Sequence, residues 1–97
     1  MSAAASLRRA LSACLRRAGY DVTAVESADE AVALVGCSEF DCVVSDMRMP
    51  GGGGDAVLAH VREAHPDLPV ILMSGNGDIS EAVATLRRGA DDYLVKP

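Results

Sequence analysis

Cys42-Val43-Val44-Ser45 is a short, mostly apolar run that stops on an acid, Asp46, and its reading decides how the rest of the chain folds. A run of this length, bounded by polar residues, fits a strand buried in a parallel sheet. Two later runs repeat the arrangement: Val70-Ile71-Leu72-Met73 stops on Ser74, and Tyr93-Leu94-Val95 stops on Lys96. Three buried parallel strands are expected, each with a polar residue at its C-terminal edge. Ligand chemistry in an open α/β sheet collects at that edge. A carboxylate, a hydroxyl and an ammonium brought together there can accept, sense and neutralise a phosphoryl group.

Between and before these runs the spacing becomes helical. Leu7, Leu11, Cys14, Leu15 and Ala18 mark one face of a helix over about 4–18, with Arg8, Arg9, Ser12, Arg16 and Arg17 opposite and Gly19 as its stop. Tyr20 to Val25 reads as a further short strand. Ser27-Ala28-Asp29-Glu30 has the form of a capping box and opens a helix that ends at Gly36. Pro50 and Gly51-Gly52-Gly53-Gly54 break the chain after Asp46, and Asp55 is expected to cap a helix through Val57, Leu58 and Val61 that closes before Pro66. Asp78 is expected to cap another, with Ile79, Ala82, Val83 and Leu86 on one face and Gly89 as its stop. The resulting order is α, β, α, β, α, β, α, β, which signals βαβ units and a helix-covered parallel sheet.

With 97 residues the chain is expected to form one small domain spanning 1–97, with no linker and no internal repeat. It holds no Trp, one Phe and two Tyr, so Val, Leu, Ile and Ala must supply the core. The net charge of −5 argues against nucleic-acid binding, which needs a basic face. Charge is uneven, because residues 1–20 carry four arginines and no acid while the remainder carries five basic and fourteen acidic residues. An acid-free, Arg- and Ser-containing start fits an organelle transit segment, but its apolar spacing also fits an ordinary amphipathic helix. No apolar run approaches the roughly 20 residues that span a bilayer. Cys14, Cys37 and Cys42 form no CxxC pair and read as reduced thiols of a cytosolic protein. Cys14 and Cys42 fall on expected core faces, and Cys37 in a loop.

Position alone leaves each polar residue with two readings. Asp46 suits a nucleophile that forms an acyl phosphate, or an acid that bonds the Gly-rich turn. Ser74, with Gly75 after it, suits an anion contact through hydroxyl and backbone N–H, or an ordinary turn. Lys96 is the sole lysine, and ends a buried run or lies in a solvated tail beside Pro97. Gly51–Gly54 lacks the following Gly-Lys-Ser/Thr of a nucleotide loop. His60, Glu63 and His65 do not have HExxH spacing and read as a solvated helix face, and Asp91-Asp92 reads as surface.

Taken together, Val43-Val44-Ser45-Asp46-Met47-Arg48-Met49-Pro50-Gly51, Val70-Ile71-Leu72-Met73-Ser74-Gly75 and Gly89-Ala90-Asp91-Asp92-Tyr93-Leu94-Val95-Lys96-Pro97 resemble the receiver domains of two-component response regulators. Gly19-Tyr20-Asp21-Val22 and Ser27-Ala28-Asp29-Glu30-Ala31 match the family's second strand and second helix, so the resemblance runs from about Leu7 to the end. It implies a flavodoxin-like doubly wound sheet. It also implies that Asp46 takes a phosphoryl group from a phosphohistidine of a sensor histidine kinase or phosphotransfer protein. Ser74 and the Gly75 backbone would then contact phosphoryl oxygens, Lys96 would pair with another, and Tyr93 would be the switch aromatic. Such a protein is cytoplasmic, passes its state to an output domain or partner, and is not a dedicated enzyme, although it catalyses its own phosphotransfer and dephosphorylation. The Lys96-Pro97 bond matches one that is cis in the family.

The chain departs from the pattern at its start. The family opens with an apolar strand ending in two acids, which hold Mg²⁺ together with the phosphoacceptor and a backbone carbonyl, here those of Asp46 and Arg48. No acid precedes Asp21. The expectation is therefore a receiver fold lacking its first strand and last helix, truncated at both ends, with an incomplete magnesium site. Two other readings follow: a phosphorylation-incompetent pseudo-receiver that only binds partners, and an aspartyl hydrolase of the haloacid-dehalogenase-like kind. The last needs a second acid two residues after the nucleophile, where this chain has Arg48.

Overall fold

The three apolar runs become three parallel strands, and the helical spacings become four helices. In chain order these are α1 (Ala3–Arg17), α2 (Ala28–Cys37), β1 (Val43–Asp46), α3 (Gly54–Ala64), β2 (Val70–Ser74), α4 (Ile79–Arg87) and β3 (Asp92–Val95). The computed structural model describes residues 3–47, 53–75 and 79–95, with side chains of α1 given from Arg8 onward. The expected Asp78 cap, the glycines at 51 and 52, and the Lys96-Pro97 bond lie outside the described residues.

The strand order is β1-β2-β3. Asp46 pairs with Met73, and Ser74 pairs with Val95, so the C-terminal ends of adjacent strands are level to within one residue. α3 lies on β1 and β2, α2 packs on α3, and α4 on β3. Val57, Leu58 and Val61 of α3 share a buried core with Val70 and Leu72 of β2, all at most 1 % exposed. Such side chains each contribute about 1.5–3 kcal/mol on burial. Gly19 and Gly89 stop α1 and α4 at φ +97° and +109°, a backbone that other residues rarely adopt.

Several expectations need correction. Tyr20–Val25 forms no strand, and Tyr20 is 64 % exposed. A strand requires a hydrogen-bonded neighbour, and this segment instead meets α1: Arg8 reaches Glu26 at 3.4 Å, and Arg16 donates to the Val22 carbonyl at 3.1 Å. On α1, Leu11 and Leu15 are partly buried as expected, but Ser12 is buried and Cys14 is exposed. Cys42 is exposed as well, and Cys37 ends α2 rather than lying in a loop. The strands are buried mainly on the face that carries Val70, Leu72 and Ser74, while Val44 and Leu94 on the other face are 39 % and 46 % exposed.

Asp55 is not the cap of α3. Gly53 holds that place without a side-chain bond, while the Asp55 carboxylate accepts from Ala56 N–H at 3.0 Å. Asp91 is exposed as expected, yet it also fastens the sheet. Its N–H donates to the Val70 carbonyl and its carboxylate accepts from Val70 N–H, both at 2.8 Å.

Candidate functional site

The sheet edge assembles its polar residues through backbone register. Asp46 closes β1, and the ladder continues one step further because Met47 N–H donates to the Met73 carbonyl at 2.8 Å. That bond fixes the direction in which the chain leaves Asp46. Ser74 closes β2 on the adjoining strand, about 4.8 Å away in the hydrogen-bonding direction. Asp46 is half-buried, Ser74 is buried at 3 % exposure, and Gly75 beyond it is exposed. A methyl group built on Gly75 would meet nothing within 4 Å, so open space adjoins the backbone that follows the hydroxyl.

The start of α3 braces the opposite side of Asp46. Gly54 N–H donates to the Met47 carbonyl at 3.1 Å, and a methyl group on Gly54 would stand 2.5 Å from the Asp46 carbonyl oxygen. Gly53 meets the Met47 carbonyl in the same way. These glycines let a helix N-terminus close directly onto the strand end. The four-glycine run signals a break, but only the structure shows what Gly53 and Gly54 are required for.

Tyr93 lies on β3 opposite Leu72, half-buried at the margin of the core. Its hydroxyl donates to Glu81 Oε1 of α4 at 2.9 Å. Sequence reading singled out Tyr93 and missed Glu81, because a pair twelve residues apart on different elements leaves no periodic signal. Lys96 follows Val95 in sequence, and Arg48 follows Met47, and both lie outside the described residues. The structure thus brings Asp46 and Ser74 to one edge, with Gly75 beside them and Tyr93 two residues back on the next strand.

Magnesium, which the resemblance implies, binds through several hard oxygen ligands. β1 ends on Asp46, β2 on Ser74 and β3 on Val95, so one carboxylate stands at the described strand ends. Among the described residues no three His, Cys, Asp or Glu side chains group as a metal site. The described residues do not fit a magnesium ion. Elsewhere, partial desolvation and, secondarily, the Asp91 charge push the Cys42 thiol above its ordinary range.

An open parallel α/β sheet with an acid and a buried hydroxyl on neighbouring C-terminal ends defines a flavodoxin-like domain with its polar rim at the expected edge. The family model described as the response regulator receiver domain matches residues 4–97. The chain is 44 % identical over 92 residues to the response regulator protein FleR of Pseudomonas aeruginosa, covering 95 % of this chain and 20 % of that protein. It superposes on the receiver domain of NtrX from Brucella abortus with a TM-score of 0.89 at 33 % identity, covering 96 % of this chain and 79 % of that one. A response regulator from Burkholderia pseudomallei, whose crystal structure holds a phosphorylated aspartic acid, a calcium ion and citrate, gives a TM-score of 0.85 at 30 % identity over 95 % of this chain and 54 % of that one. This chain belongs to the response regulator receiver domain family, and its fold is the receiver fold. It spans about a fifth of the length of FleR and of the NtrC and DctD regulators that it also matches.

Proposed function

We propose that this receiver takes a phosphoryl group on Asp46 from a phosphohistidine of a sensor histidine kinase or phosphotransfer protein. In that step an Asp46 carboxylate oxygen attacks phosphorus, the phosphorus–nitrogen bond breaks, and the imidazole leaves with the bonding electrons. The acyl phosphate formed is later hydrolysed to the carboxylate and inorganic phosphate. Ser74 and the Gly75 backbone contact phosphoryl oxygens, Lys96 neutralises charge, and Tyr93 reads the change out to an output domain or partner protein. The added charge and acceptor oxygens are what bias such a switch. On this reading the chain is cytoplasmic, touches neither nucleic acid nor membrane, and is not a dedicated enzyme. No described helix is long and apolar enough to cross a membrane.

The observation that carries the proposal is the register placing Asp46 and Ser74 on level ends of adjacent parallel strands. The single carboxylate at those ends favours a second reading, a pseudo-receiver that binds partners without being phosphorylated. Incubation with a small acyl phosphate and Mg²⁺, followed by intact mass, separates the two. Weak labelling is expected of the 97-residue chain. Strong labelling is expected once an apolar strand ending in two adjacent acids is fused ahead of α1, and none when Asp46→Asn is added. Labelling of the fused Asp46→Asn protein at the parent level would remove Asp46 from the role. No labelling of the fused parent would favour the binding module.

A further inference from the structure

We propose that Glu81 is a positioning residue for Tyr93, binding the ring to α4 so that ring and helix change position together. The proposal rests on Tyr93 being the switch aromatic, and it goes beyond that reading by naming what holds the ring. The Tyr93 hydroxyl donates to a Glu81 carboxylate oxygen at 2.9 Å in a part-buried setting. Hydrogen bonds to an ionised acceptor are stronger than neutral ones, and partial burial limits competition from water. The Tyr93 backbone is fixed by its pairing with Leu72 of the central strand, so the ring can move only by side-chain rotation. That rotation breaks the bond to Glu81, draws the Glu81 side chain after it, or carries α4 with it.

α4 is built to be carried. Thr85 is its one buried residue among those described, while Ile79, Val83 and Leu86 are 80 %, 41 % and 44 % exposed. An element with few buried contacts moves at low cost, so a single charge-assisted bond is a large share of its anchorage. Glu81 sits in the first turn of α4, seven residues after Ser74 on the same connecting segment. A shift of the hydroxyl residue reaches the ring across the sheet, where Ser74 pairs with Val95 and Leu72 with Tyr93.

The test uses the whole chain with 3-fluorotyrosine in a Tyr20→Phe background, which leaves Tyr93 as the only fluorinated tyrosine. Glu81→Ala is expected to displace the Tyr93 fluorine resonance. Glu81→Gln, which keeps a carbonyl oxygen as acceptor, is expected to hold it near the parent position. Tyr93→Phe keeps the ring's packing, and hydrogen exchange of α4 amides is expected to accelerate about ten-fold in it, with β2 amides unchanged. An unmoved resonance in Glu81→Ala, or unchanged α4 exchange in Tyr93→Phe, overturns the proposal. Acceleration shared equally by β2 also overturns it, since that reports a general loss of stability. None of these readouts needs phosphoryl transfer, so failure of Asp46 to label and failure of this link are separate results.

Discussion

A methyl group added at Gly54 would lie 2.5 Å from the Asp46 carbonyl oxygen and 2.9 Å from Leu72 Cδ2. Neither neighbour gives way cheaply, because one is strand backbone and the other belongs to a side chain buried at 0 % exposure. Gly54→Ala is expected to cost about 1–3 kcal/mol, at roughly 4–8 °C of melting temperature per kcal/mol. Gly75→Ala, where the added carbon meets nothing within 4 Å, is expected to change stability by less than about 0.5 kcal/mol. Thermal melts of the pair check this, and equal effects would show that the approach of α3 to Asp46 is not tight. Asp46 and Ser74 were legible from sequence because each ends an apolar run, and a strand's end projects onto the sheet's edge wherever the strand lies. Gly54 was legible only as a turn residue, because its need for a bare α-carbon comes from a strand end eight positions away.

The capping box of α2 joins the residue to the element. Ser27 Oγ accepts from Glu30 N–H at 3.2 Å, and the Glu30 carboxylate accepts from Glu26 N–H at 3.3 Å, one residue earlier than the usual reciprocal bond. Since α2 packs on α3, and α3 covers the central strand, losing the cap loosens a helix on which the core depends. Ser27→Ala is expected to cost about 1 kcal/mol, while Ser27→Asp stays near the parent. Urea midpoints measure both, and a Ser27→Ala midpoint equal to the parent's would mean that the cap is satisfied by solvent. Local signals of this kind made α1, α2, α3, α4 and the three paired strands readable to within a residue or two. They misled at Tyr20–Val25, whose composition suits a strand but whose pairing depends on a neighbour that local sequence does not specify. On α1 they placed Leu11 and Leu15 inward correctly but put Ser12 on the outer face and Cys14 on the inner one, where the structure has Ser12 buried and Cys14 exposed.

At the scale of the whole molecule, two of the exposed apolar sites differ in what they offer a second copy. One is β1, an outer strand of the described sheet, where Val44 is 39 % exposed; the other is the α4 face, where Val83 is 41 % exposed. Area does not separate them, since the two valines are almost equally bare. Hydrogen bonding does. Val43 and Met47 direct their N–H groups to the β2 side, so strand alternation turns the Val44 backbone toward the outer edge. A second strand arriving there gains directional backbone bonds as well as apolar contact, whereas the helix face offers side chains alone. Copies of this chain are therefore expected to associate through β1, with an apparent mass in sedimentation velocity that rises with concentration. Val44→Lys should suppress the rise, because a charged side chain on an outer strand opposes pairing, and Val83→Lys should leave it intact. Suppression by Val83→Lys but not by Val44→Lys would assign the contact to α4. Because Asp46 closes β1, association at that strand would also lower its rate of labelling as concentration increases, so the mass assay and the sedimentation assay should change together.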